Sequence, residues 1–406
     1  MAHRYRLYPT PEQETICARH CNDTRFIWNL VLEQFNHFDR RVAGQKPPSF
    51  AERGRQLPEI RRGTWLAEGS SSIQKEAMRD FERACRNWWR GSHRRPNWRK
   101  VGKHESFCIR DVSIRKLSGR WATVRVPKCG AVRFRLSRPL PPDFGMGRVT
   151  KDAAGRWHVA FAAPQPAIER STTGKEIGLD LGIAVSVATS DGLQLCAPQP
   201  GAPEFKRKLR LERKLARQSK GSNRRARTKL ALAKLAARQA DRLNDWREKV
   251  TTQLVIENDL IVIENLKVKN MMRSAKGSIE APGKNVRAKS GLNREIARQG
   301  WSTFALRLEQ KAAAAGVEVI RVPAPYTSLC CNACGHTVLE NRKNQAAFLC
   351  QVCGHQANAD VNAAKNILAT GLEVTGRGGI VRPIGPVVPI GGPGETSITE
   401  AARCAA

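Results

Sequence analysis

The sequence has few acidic residues for its length and no long apolar run. Its 406 residues contain 70 Lys and Arg against 36 Asp and Glu, a formal net charge of +34. Such an excess of one sign repels itself unless a polyanion neutralises it, so nucleic acid is the expected partner. An anionic membrane surface is the alternative, but the basic residues are spread over the whole chain and not along one amphipathic helix.

The sequence also lacks the signals that direct a protein into or across a membrane. No apolar stretch reaches the roughly 18 residues that a membrane-spanning helix needs. The first residues, "MAHRYRLYPTPEQ", lack the apolar core of a secretory signal. We therefore expect a cytoplasmic protein with no membrane partner, in which the twelve cysteines stay reduced.

Paired cysteines in a reducing compartment more often indicate metal or redox chemistry than disulfides. Two Cys-x-x-Cys pairs are separated by fifteen residues, the spacing of a zinc ribbon, and a glycine follows each second cysteine. Four thiolates complete a closed tetrahedral site, which serves structure or nucleic-acid binding and not hydrolysis. The predicted zinc ligands are Cys331, Cys334, Cys350 and Cys353. The ligand set stays open, because three neighbouring side chains are able to substitute: Cys330, His336 and His355.

The N-terminal third changes from helical to strand patterns. A short strand at 3–8 precedes "TPEQ", which begins a helix with a capping-box pattern. Helical spacing is present at 26–38 and, after a polar break, at 72–91. Short strands punctuated by Gly or Pro follow over 105–163. This order predicts a small β-barrel with a helical insertion after its first strand.

The second half alternates buried strands with long helices. The segment "EIGLDLGIAVSVATSDGLQLC" has two apolar runs and a hairpin signal at Asp191-Gly192, which predicts three consecutive antiparallel strands. Helices follow over 203–250, broken near "KGSN", and a buried strand lies at 259–265. A helix at 291–316 ends in Gly and precedes the strand "VEVIRV". Residues after about 370 are rich in Gly and Pro and predict disorder.

Three acids stand out by their context. Asp180 ends the strand "IGLDLG", Glu264 ends "LIVIEN", and Asp360 begins the helix "DVNAAKNIL". A carboxylate at the carboxyl end of a buried strand points to where ligands collect in α/β sheets. Each acid alone has a simpler interpretation: Asp360 as a helix N-cap, Glu264 as a surface acid, and "IGLDLG" as the phosphate loop of an actin-like ATPase. The sequence lacks the second phosphate loop and the adenosine loop of that ATPase class.

Together the three acids match the needs of phosphodiester cleavage. Several carboxylates are required to hold two divalent cations roughly 4 Å apart. Mg²⁺ prefers hard oxygen ligands and keeps several waters, so a few acids suffice. The order of a strand with Asp, a hairpin, helices, a strand with Glu, a helix, a strand and a helix with Asp is the RNase H-like plan.

On these motifs the sequence resembles the TnpB nucleases of insertion-sequence transposons, which are relatives of the type V CRISPR effectors. The resemblance runs from "RLYPTPEQ" to "NAAKNIL" and includes "IVIENLKVKNM", "YTSLCCNACGH" and "CGHQANADVNAAKNI" in family order. It implies RuvC-type catalytic positions, with Mg²⁺ or Mn²⁺ as cofactor, for Asp180, Glu264 and Asp360. It also implies Zn²⁺ at Cys331, Cys334, Cys350 and Cys353.

Two departures from the family pattern are visible. The family often has Asp-Arg before the last catalytic acid, where this chain has Asn358-Ala359. It more usually has a Gln and a variable residue where this chain has Leu329-Cys330. Because Asp360 itself is present, we expect metal binding to be retained.

The resemblance implies an RNA-guided DNA endonuclease with one protein per guide RNA. The guide, made from the transposon end, pairs with the target strand, while the protein reads a short motif in double-stranded DNA beside the target. The implied location is the prokaryotic cytoplasm, in association with the nucleoid. The implied fold is a multidomain α/β protein with an added β-barrel: an RNase H-like, RuvC-type core with an inserted zinc ribbon, and a wedge-like N-terminal barrel interrupted by a helical recognition insert.

The expected domain bounds follow from these patterns. They are 1–9 with 105–165 for the barrel, 10–104 for the helical insert, 174–328 with 355–370 for the nuclease domain, 329–354 for the zinc ribbon, and 371–406 for a disordered tail.

Two basic segments are candidates for contact with nucleic acid. Residues 206–240 contain fourteen Lys or Arg and one Glu, so a solvated helix face is the weaker interpretation and phosphate contact the stronger. Six leucines are expected to anchor these helices to a core: Leu209, Leu211, Leu215, Leu230, Leu232 and Leu235. The segment 85–100 has three Trp among six Lys or Arg, and base stacking or helix packing by Trp88 and Trp89 both remain open.

Three other functions are compatible with parts of the sequence. A nuclease-silent RNA-guided DNA-binding repressor on the same fold has no need of three convergent acids. A basic zinc-ribbon RNA-binding protein of ribosomal type explains the charge and the cysteines but not the acids. A conventional transposase shares the RNase H-like core, so the acids alone do not exclude it.

Overall fold

The structure, a computed structural model, describes four stretches of the chain: 2–38, 46–164, 166–323 and 325–376. The tail predicted at 371–406 lies outside them except for its first six residues. Within these stretches, no helix combines the length and the apolar character that a membrane crossing requires.

The chain divides into two compact units. The first comprises Met1–Pro166 and Lys206–Ala237, and the second comprises Ala167–Phe205 and Arg238–Ala406. The basic residues 206–237 therefore group with the N-terminal unit, whereas their sequence position had placed them in the expected nuclease domain.

One antiparallel sheet forms the framework of the first unit. Its strands are β1 (Ala2–Tyr8), β2 (Ser106–Ile109), β3 (Ile114–Lys116), β4 (Trp121–Val126), β5 (Gly130–Arg135), β6 (Gly147–Lys151) and β7 (Trp157–Ala162). Their order is β2-β6-β7-β1-β5-β4-β3, so β1 lies in the middle, between β5 and β7. Among the described strands, β2 and β3 each pair with one neighbour. The pairing is that of an open sheet, and closure of the barrel stays a prediction.

The residues of this sheet alternate between a buried and an exposed face, as expected for period-two strands. The buried face carries four aromatic rings with at most 1% of their surface exposed: Tyr5, Phe107, Phe134 and Phe161. The Tyr5 and Phe134 rings meet edge to face with centroids 5.5 Å apart. This aromatic layer belongs to the core of the sheet.

A helical insertion lies between β1 and β2 in the chain, as predicted. It consists of α1 (Pro11–His37), α2 (Phe50–Arg61) and α3 (Ser71–Trp89), and α2 occupies the segment predicted to be a polar break. The capping box at Thr10 is confirmed, since the backbone N–H of Gln13 donates to Thr10 Oγ1 and that of Thr10 donates to Gln13 Oε1. Trp88 packs edge to face against Phe35, whereas Trp89 is 52% exposed. The two tryptophans thus have different environments.

Two long helices follow in the region 203–250, with a break at the predicted position. They are α4 (Ala202–Ala216) and α5 (Asn223–Glu257). The "KGSN" segment separates them because Gly221, with φ +88°, adopts the left-handed backbone that glycine favours.

A five-stranded mixed sheet forms the framework of the second unit. Its strands are β8 (Glu176–Asp180), β9 (Val187–Thr189), β10 (Gln194–Leu195), β11 (Leu260–Glu264) and β12 (Glu318–Val322). Their order is β10-β9-β8-β11-β12. The first three are consecutive and antiparallel, as predicted, and β11 runs parallel to both β8 and β12.

The single helix predicted at 291–316 is wrong. After the short helix α6 (Val268–Met271), two helices occupy this region, α7 (Val286–Gln299) and α8 (Trp301–Ala315). Gly300 separates them with φ +63°, a conformation that ends a helix. The guanidinium of Arg247 donates to Gln299 O at 2.9 Å and lies 2.3 Å from where a Cβ of residue 300 would stand. Both observations favour glycine at the break.

The last helix, α9 (Ala359–Val374), lies directly on the mixed sheet and runs four residues past the expected domain end at 370. A Cβ at Gly178 of β8 would stand 2.2 Å from Ala364 O, and a Cβ at Gly371 would stand 2.4 Å from Val262 Cγ2. Both glycines permit this close approach. The zinc-ribbon hairpin β13 (Ala347–Leu349) and β14 (Gln356–Asn358) immediately precedes the helix.

Candidate active site

The three predicted acids come together on one face of the mixed sheet. Asp180 and Glu264 are the last residues of β8 and β11, and the preceding residues, Leu179 and Ile263, are partners in the parallel ladder. The two acids therefore leave the sheet at the same edge.

Strand periodicity fixes the face on which they lie. Gly178 and Val262 contact α9, and side chains two residues apart point to the same face. Asp180 and Glu264 thus face the helix as well. Asp360 lies one helical turn before Ala364, the residue that approaches Gly178, and its charge acts on Asp180, so it lies near the Asp180 end of that contact.

The pKa of Asp180 is also consistent with three acids that lie close together. Burial raises the pKa of its carboxyl to about 7, and the negative charges of Glu264 and Asp360 add to the increase, while Arg342 opposes it. Like charges raise a carboxyl pKa when they share a site. A perturbed carboxyl of this kind is typical of functional sites.

Glu264 has a specific hydrogen-bond partner that the sequence did not predict. Thr327 Oγ1 donates to Glu264 Oε1 at 2.8 Å, and the two residues are 3% and 8% exposed. Burial raises the pKa of Glu264, and the hydrogen bond from Thr327 opposes the increase. "YTS" belongs to a motif quoted above for the resemblance, but no pattern in the sequence connects it with an acid 63 positions away.

Asp360 has an arginine partner from the zinc ribbon. Arg342 Nη2 lies 3.3 Å from Asp360 Oδ1. Burial raises the pKa of Asp360, and the Arg342 charge lowers it. Arg342 was also absent from the predicted site, because its charge is one among many in this basic chain.

The interpretation of Asp360 as the helix cap is wrong. Asn358 is the N-cap of α9, and its Oδ1 accepts from the backbone N–H groups of Asp360 and Val361 at 3.0 and 3.2 Å. The residue that departs from the family pattern therefore has a structural role. Asp360, in the first turn, is left free of capping, and its charge is favoured by the helix dipole.

The three carboxylates supply hard oxygen donors of the kind that Mg²⁺ and Mn²⁺ bind. They converge at one edge of the sheet, and their mutual repulsion contributes to the raised pKa of Asp180. A divalent cation bound among them would offset that repulsion. The donor set fits the expected divalent cofactor.

The four predicted cysteines form one cluster. The Sγ atoms of Cys331, Cys334, Cys350 and Cys353 all lie within 4.8 Å of one another. The Cys331–Cys353 and Cys334–Cys350 distances are 3.7 and 3.5 Å. Thiolates about 2.3 Å from a tetrahedral zinc are about 3.8 Å apart. The geometry and the soft sulfur donors fit zinc.

Each pair of cysteines lies on a turn with the same hydrogen bonds. The N–H of the first cysteine donates to a histidine carbonyl, Cys331 to His336 and Cys350 to His355, at 3.0 and 2.9 Å. The glycine after each second cysteine has positive φ, +77° at Gly335 and +69° at Gly354. The histidines thus contribute backbone oxygens to the turns.

Cys330 is not part of the sulfur cluster. Its thiol donates to Cys331 O at 3.7 Å and to Gly335 O at 3.6 Å, and it is 4% exposed. Among the described residues, the cluster contains neither Cys330 nor the two histidines. The alternatives for the ligand set therefore find no support in the geometry.

The basic helices are less firmly packed than predicted. Leu235 is 5% exposed, but Leu209 and Leu230 are 38% and 39% exposed. No residue of α4, all of which are described, is buried. The prediction that all six leucines anchor these helices to a core is therefore wrong. The exposed cations of α4 are available to a polyanion.

A second basic surface lies on the exposed face of the first unit's sheet and was missed from the sequence. Cross-strand partners bring Arg6, Arg135 and Trp121 into one row, and Tyr8 and Arg133 into the next. The Arg133 guanidinium lies 4.7 Å from the Trp121 ring centre, and Trp121 meets Tyr8 edge to face at 5.2 Å. Strands β1, β3, β4 and β5 contain no acid. Arginine among aromatic rings on a sheet is suited to nucleic acid.

Three family models match the chain. They are "Helix-turn-helix domain" over residues 1–37, "Probable transposase" over 158–275, and "Cas12f1-like, TNB domain" over 301–367. The described part of 1–37 is one strand and one helix, β1 and α1. The third match spans α8, β12, the cysteine cluster and the first half of α9.

Two curated relatives match almost the full length. "Putative RNA-guided DNA endonuclease InsQ" of Escherichia coli (strain K12) is 36% identical over 388 residues, 94% of each chain. "Putative RNA-guided DNA endonuclease" of Streptomyces pristinaespiralis is 28% identical over 390 residues, 94% of this chain and 92% of that one.

One solved structure has the same fold over most of the chain. It is described as "Cryo-EM structure of the Cas12f1-sgRNA-target DNA complex", and it matches with a TM-score of 0.54 and 12% identity over 87% of this chain and 82% of that chain. At this identity the likeness concerns the fold alone.

Proposed function

Since the chain belongs to the TnpB family, we propose that it is an RNA-guided, metal-dependent DNA endonuclease of an insertion-sequence transposon. It cleaves double-stranded DNA beside a short duplex motif through one RuvC-type active site. The names of the two relatives support an RNA-guided endonuclease. The metal dependence and the site are our inference from the geometry.

The observation that carries the proposal is the convergence of Asp180, Glu264 and Asp360 at one edge of the mixed sheet. A protein that only binds RNA and DNA gains nothing from three carboxylates beside phosphate, because they repel it. Burial raises the pKa of Asp180 to about 7, and the charges of Glu264 and Asp360 add to the increase, which indicates that the three acids are neighbours. Cation-assisted hydrolysis is the chemistry that uses such a cluster.

Each acid has a distinct role in this proposal. Asp180, between the other two, is the acid that must lose its proton for the site to bind cations. Glu264 is held in one orientation by Thr327. Asp360, anchored in the first turn of α9, completes the set; burial raises its pKa, and the Arg342 charge opposes that increase.

Two divalent cations, Mg²⁺ or Mn²⁺, would be held by Asp180, Glu264 and Asp360. When bound, such a pair supplies activation of water and stabilisation of the leaving oxygen in phosphodiester hydrolysis. The four cysteines would hold a structural Zn²⁺ with no open coordination position, so the ribbon takes no chemical part in cleavage.

The basic surfaces of the first unit are the proposed contacts for guide RNA and target DNA. Guide pairing reads the target sequence, so the protein needs mainly cations that follow a heteroduplex backbone. The exposed Lys and Arg of α4, and the arginine face of the sheet around Trp121, supply them. We further propose one protein per guide RNA, a guide made from the transposon end, and a place of action at the nucleoid in the cytoplasm.

The test begins with the full chain expressed together with its own transposon end. The RNA that copurifies is sequenced, and a plasmid matched to that RNA is incubated with the complex and Mg²⁺. We expect linear DNA in the presence of Mg²⁺ and none after addition of a chelator. Asp180→Ala is expected to bind the same RNA and give no linear product.

Asp245→Asn is the matched control, because Asp245 is an exposed acid of α5 paired with Lys249. It should cut like the wild type. Equal cutting by Asp180→Ala would remove Asp180 from the site. Guided binding without cutting by the wild type would favour the repressor, and the absence of copurifying RNA would favour the transposase.

A further inference from the structure

A short segment connects the candidate active site with the first zinc knuckle. It runs from Tyr326 to Cys330, immediately before the first zinc cysteine, Cys331. The N–H groups of Leu329 and Cys330 both donate to Tyr326 O at 3.0 Å. Tyr326 has φ +69°, which is uncommon for a residue with a side chain. The segment is thus a tight turn with a defined conformation.

Two asparagines of α9 bind this turn from the other side. Asn366 Nδ2 donates to Thr327 O and to Cys330 O, both at 2.8 Å. Asn362 Nδ2 donates to Cys330 O at 2.7 Å, and Asn362 Oδ1 accepts from the N–H of Asn332 at 3.1 Å. The asparagines are four residues apart, so they lie on the same helix face.

Four residues of this network are withdrawn from water. Asn362, Thr327, Cys330 and Asn366 are 0%, 3%, 4% and 6% exposed. Buried polar groups without their partners destabilise the protein, so such a network tends to form completely or not at all. The turn, the first knuckle and the start of α9 therefore behave as one structural unit.

The Thr327 side chain extends this unit to the carboxylate. Its hydroxyl donates to Glu264 Oε1 at 2.8 Å, while its carbonyl is held by Asn366. A hydrogen bond to one oxygen restricts rotation of the carboxylate and leaves Glu264 Oε2 for other ligands. Outer partners of this kind orient metal-binding groups, and their removal commonly lowers metal affinity about 10- to 100-fold.

We propose that Thr327 is a positioning residue for Glu264, and that through it the folded zinc ribbon controls the affinity of the active site for divalent cations. The inference rests on the proposed function, because it takes Glu264 as a cation ligand. Zinc would act at a distance, by holding Cys331 and hence the turn in place, since binding of a structural metal is coupled to local folding.

The experiment measures Mn²⁺ binding to the full chain by electron paramagnetic resonance of the free ion. Binding that persists in a variant with Asp180, Glu264 and Asp360 all replaced by Ala is subtracted as unrelated to the site. Thr327→Val keeps the shape of the side chain and removes its hydroxyl. We expect it to bind Mn²⁺ about tenfold more weakly, with unchanged zinc content. Thr327→Ser, which retains the hydroxyl, should recover most of the affinity.

Thr370→Val is the matched control. Thr370 is a partly buried threonine, and its hydroxyl donates to the backbone oxygen of Asn366 within α9. We expect Mn²⁺ affinity close to that of the wild type. An equal decrease of affinity in Thr370→Val and Thr327→Val would overturn the proposal, because the effect would then reflect general destabilisation.

The contribution of zinc is tested with a zinc-selective chelator. Removal of zinc from the wild type should weaken Mn²⁺ binding at least as much as Thr327→Val does. In Thr327→Val, removal of zinc should have a much smaller additional effect, because coupled changes are not additive. Unchanged Mn²⁺ affinity after zinc removal, or equal effects in the two proteins, would contradict the proposed connection.

Cleavage by the RNA-loaded protein separates this inference from the proposed function. One outcome is that Asp180→Ala is inactive while Thr327→Val binds Mn²⁺ and cuts like the wild type. This outcome would refute the role of Thr327 and leave the proposed active site intact. Full cutting by Asp180→Ala would instead refute the active site on which the inference rests.

Discussion

Gly178 of β8 lies so close to Ala364 of α9 that a Cβ atom at position 178 would stand 2.2 Å from the Ala364 carbonyl oxygen. Because residue 178 has no side chain, the helix that carries Asp360 packs directly on the strand that carries Asp180. Gly178→Ala should displace α9 and destabilise the protein by about 1–3 kcal/mol. Urea-induced unfolding measures the decrease in stability, and cleavage should fall with it.

Gly54→Ala provides a control with the opposite expected sign. Gly54 lies inside α2, and a Cβ there has no neighbour within 4 Å. Alanine in a helix interior is favoured over glycine by about 1 kcal/mol. If Gly54→Ala stabilises the protein and Gly178→Ala leaves the free energy of unfolding unchanged, α9 does not lie this close to β8.

Asp180 makes the cation-free protein less stable as the pH rises. Its folded-state pKa of about 7 exceeds the ordinary value of 3.8, so the folded state binds the proton more tightly than the unfolded state. Stability should fall as the pH rises from about 4 to about 7, by at most about 4 kcal/mol. Asp180→Asn should remove this fall, and its advantage over the wild type should grow between these pH values.

Thermal unfolding in the presence of an Mg²⁺ chelator, from pH 4 to pH 8, measures that advantage. Asp245→Asn, at an exposed acid, should show no such pH-dependent gain. Addition of Mg²⁺ at pH 8 should stabilise the wild type and not Asp180→Asn. A constant difference between Asp180→Asn and the wild type over the whole range would mean that the Asp180 carboxyl is not perturbed.

Arg342 should set the pH at which the site begins to bind cations. Its charge lowers the pKa values of both Asp180 and Asp360, so Arg342→Gln should raise them. A proton on either carboxylate competes with a cation, and half-maximal Mn²⁺ binding should therefore move to higher pH. Arg342→Lys, which keeps the charge, should move it much less.

The measurement is Mn²⁺ affinity at a series of pH values. Identical midpoints for the wild type and Arg342→Gln would show that the 3.3 Å ion pair does not persist in solution.

Zinc content should distinguish Cys331 from its neighbour Cys330. Cys331→Ser removes one of four thiolates, so purified protein should contain much less zinc and the ribbon should become sensitive to protease. Cys330→Ser keeps a hydroxyl that can donate to the same backbone oxygens, and it should retain one zinc per chain. Inductively coupled plasma mass spectrometry measures both, and the reverse result would exchange the two assignments.

Three exposed cations of α4 should contribute to binding of nucleic acid by neutralising phosphates. Replacement of Lys206, Arg210 and Arg213 by Gln should weaken RNA binding and lower the dependence of log affinity on log salt. The slope should fall by about 0.7–0.9 for each phosphate that the protein no longer neutralises. Lys249→Gln, at an exposed lysine of α5 paired with Asp245, is the control and should leave the slope nearly unchanged.

The local parts of the fold were predictable because their signals are local. The capping box at Thr10, the hairpin after β9 and the two cysteine knuckles each depend on a few adjacent residues. The single helix at 291–316 failed because the break at Gly300 depends on Arg247, which is 53 positions away and occupies the space beside that residue. Isolated glycine in a helical pattern does not reveal such a neighbour.

The sequence predicted the carboxylates of the candidate site but not the residues that form a hydrogen bond or an ion pair with them. The acids follow apolar strands or begin a helix, and that context is visible in the sequence. Thr327 and Arg342 contact them through pairings that span 63 and 18 positions. The arginine face around Trp121 needs strand register, since Arg6 and Arg135 are neighbours only across the ladder. Which leucines of the basic helices are buried likewise depends on tertiary contacts.

The position of α9 in the chain has a consequence for biosynthesis. Of the three elements that carry the acids, the ribosome releases β8 first, β11 about 80 residues later, and α9 only after the cysteine knuckles. Parts of a chain that emerge earlier generally begin to fold earlier. The polybasic helices are therefore complete before the third carboxylate exists. A chain whose translation stops before residue 359 would lack Asp360. We expect it to bind RNA through the basic helices without cutting DNA, and so to compete with the full-length protein.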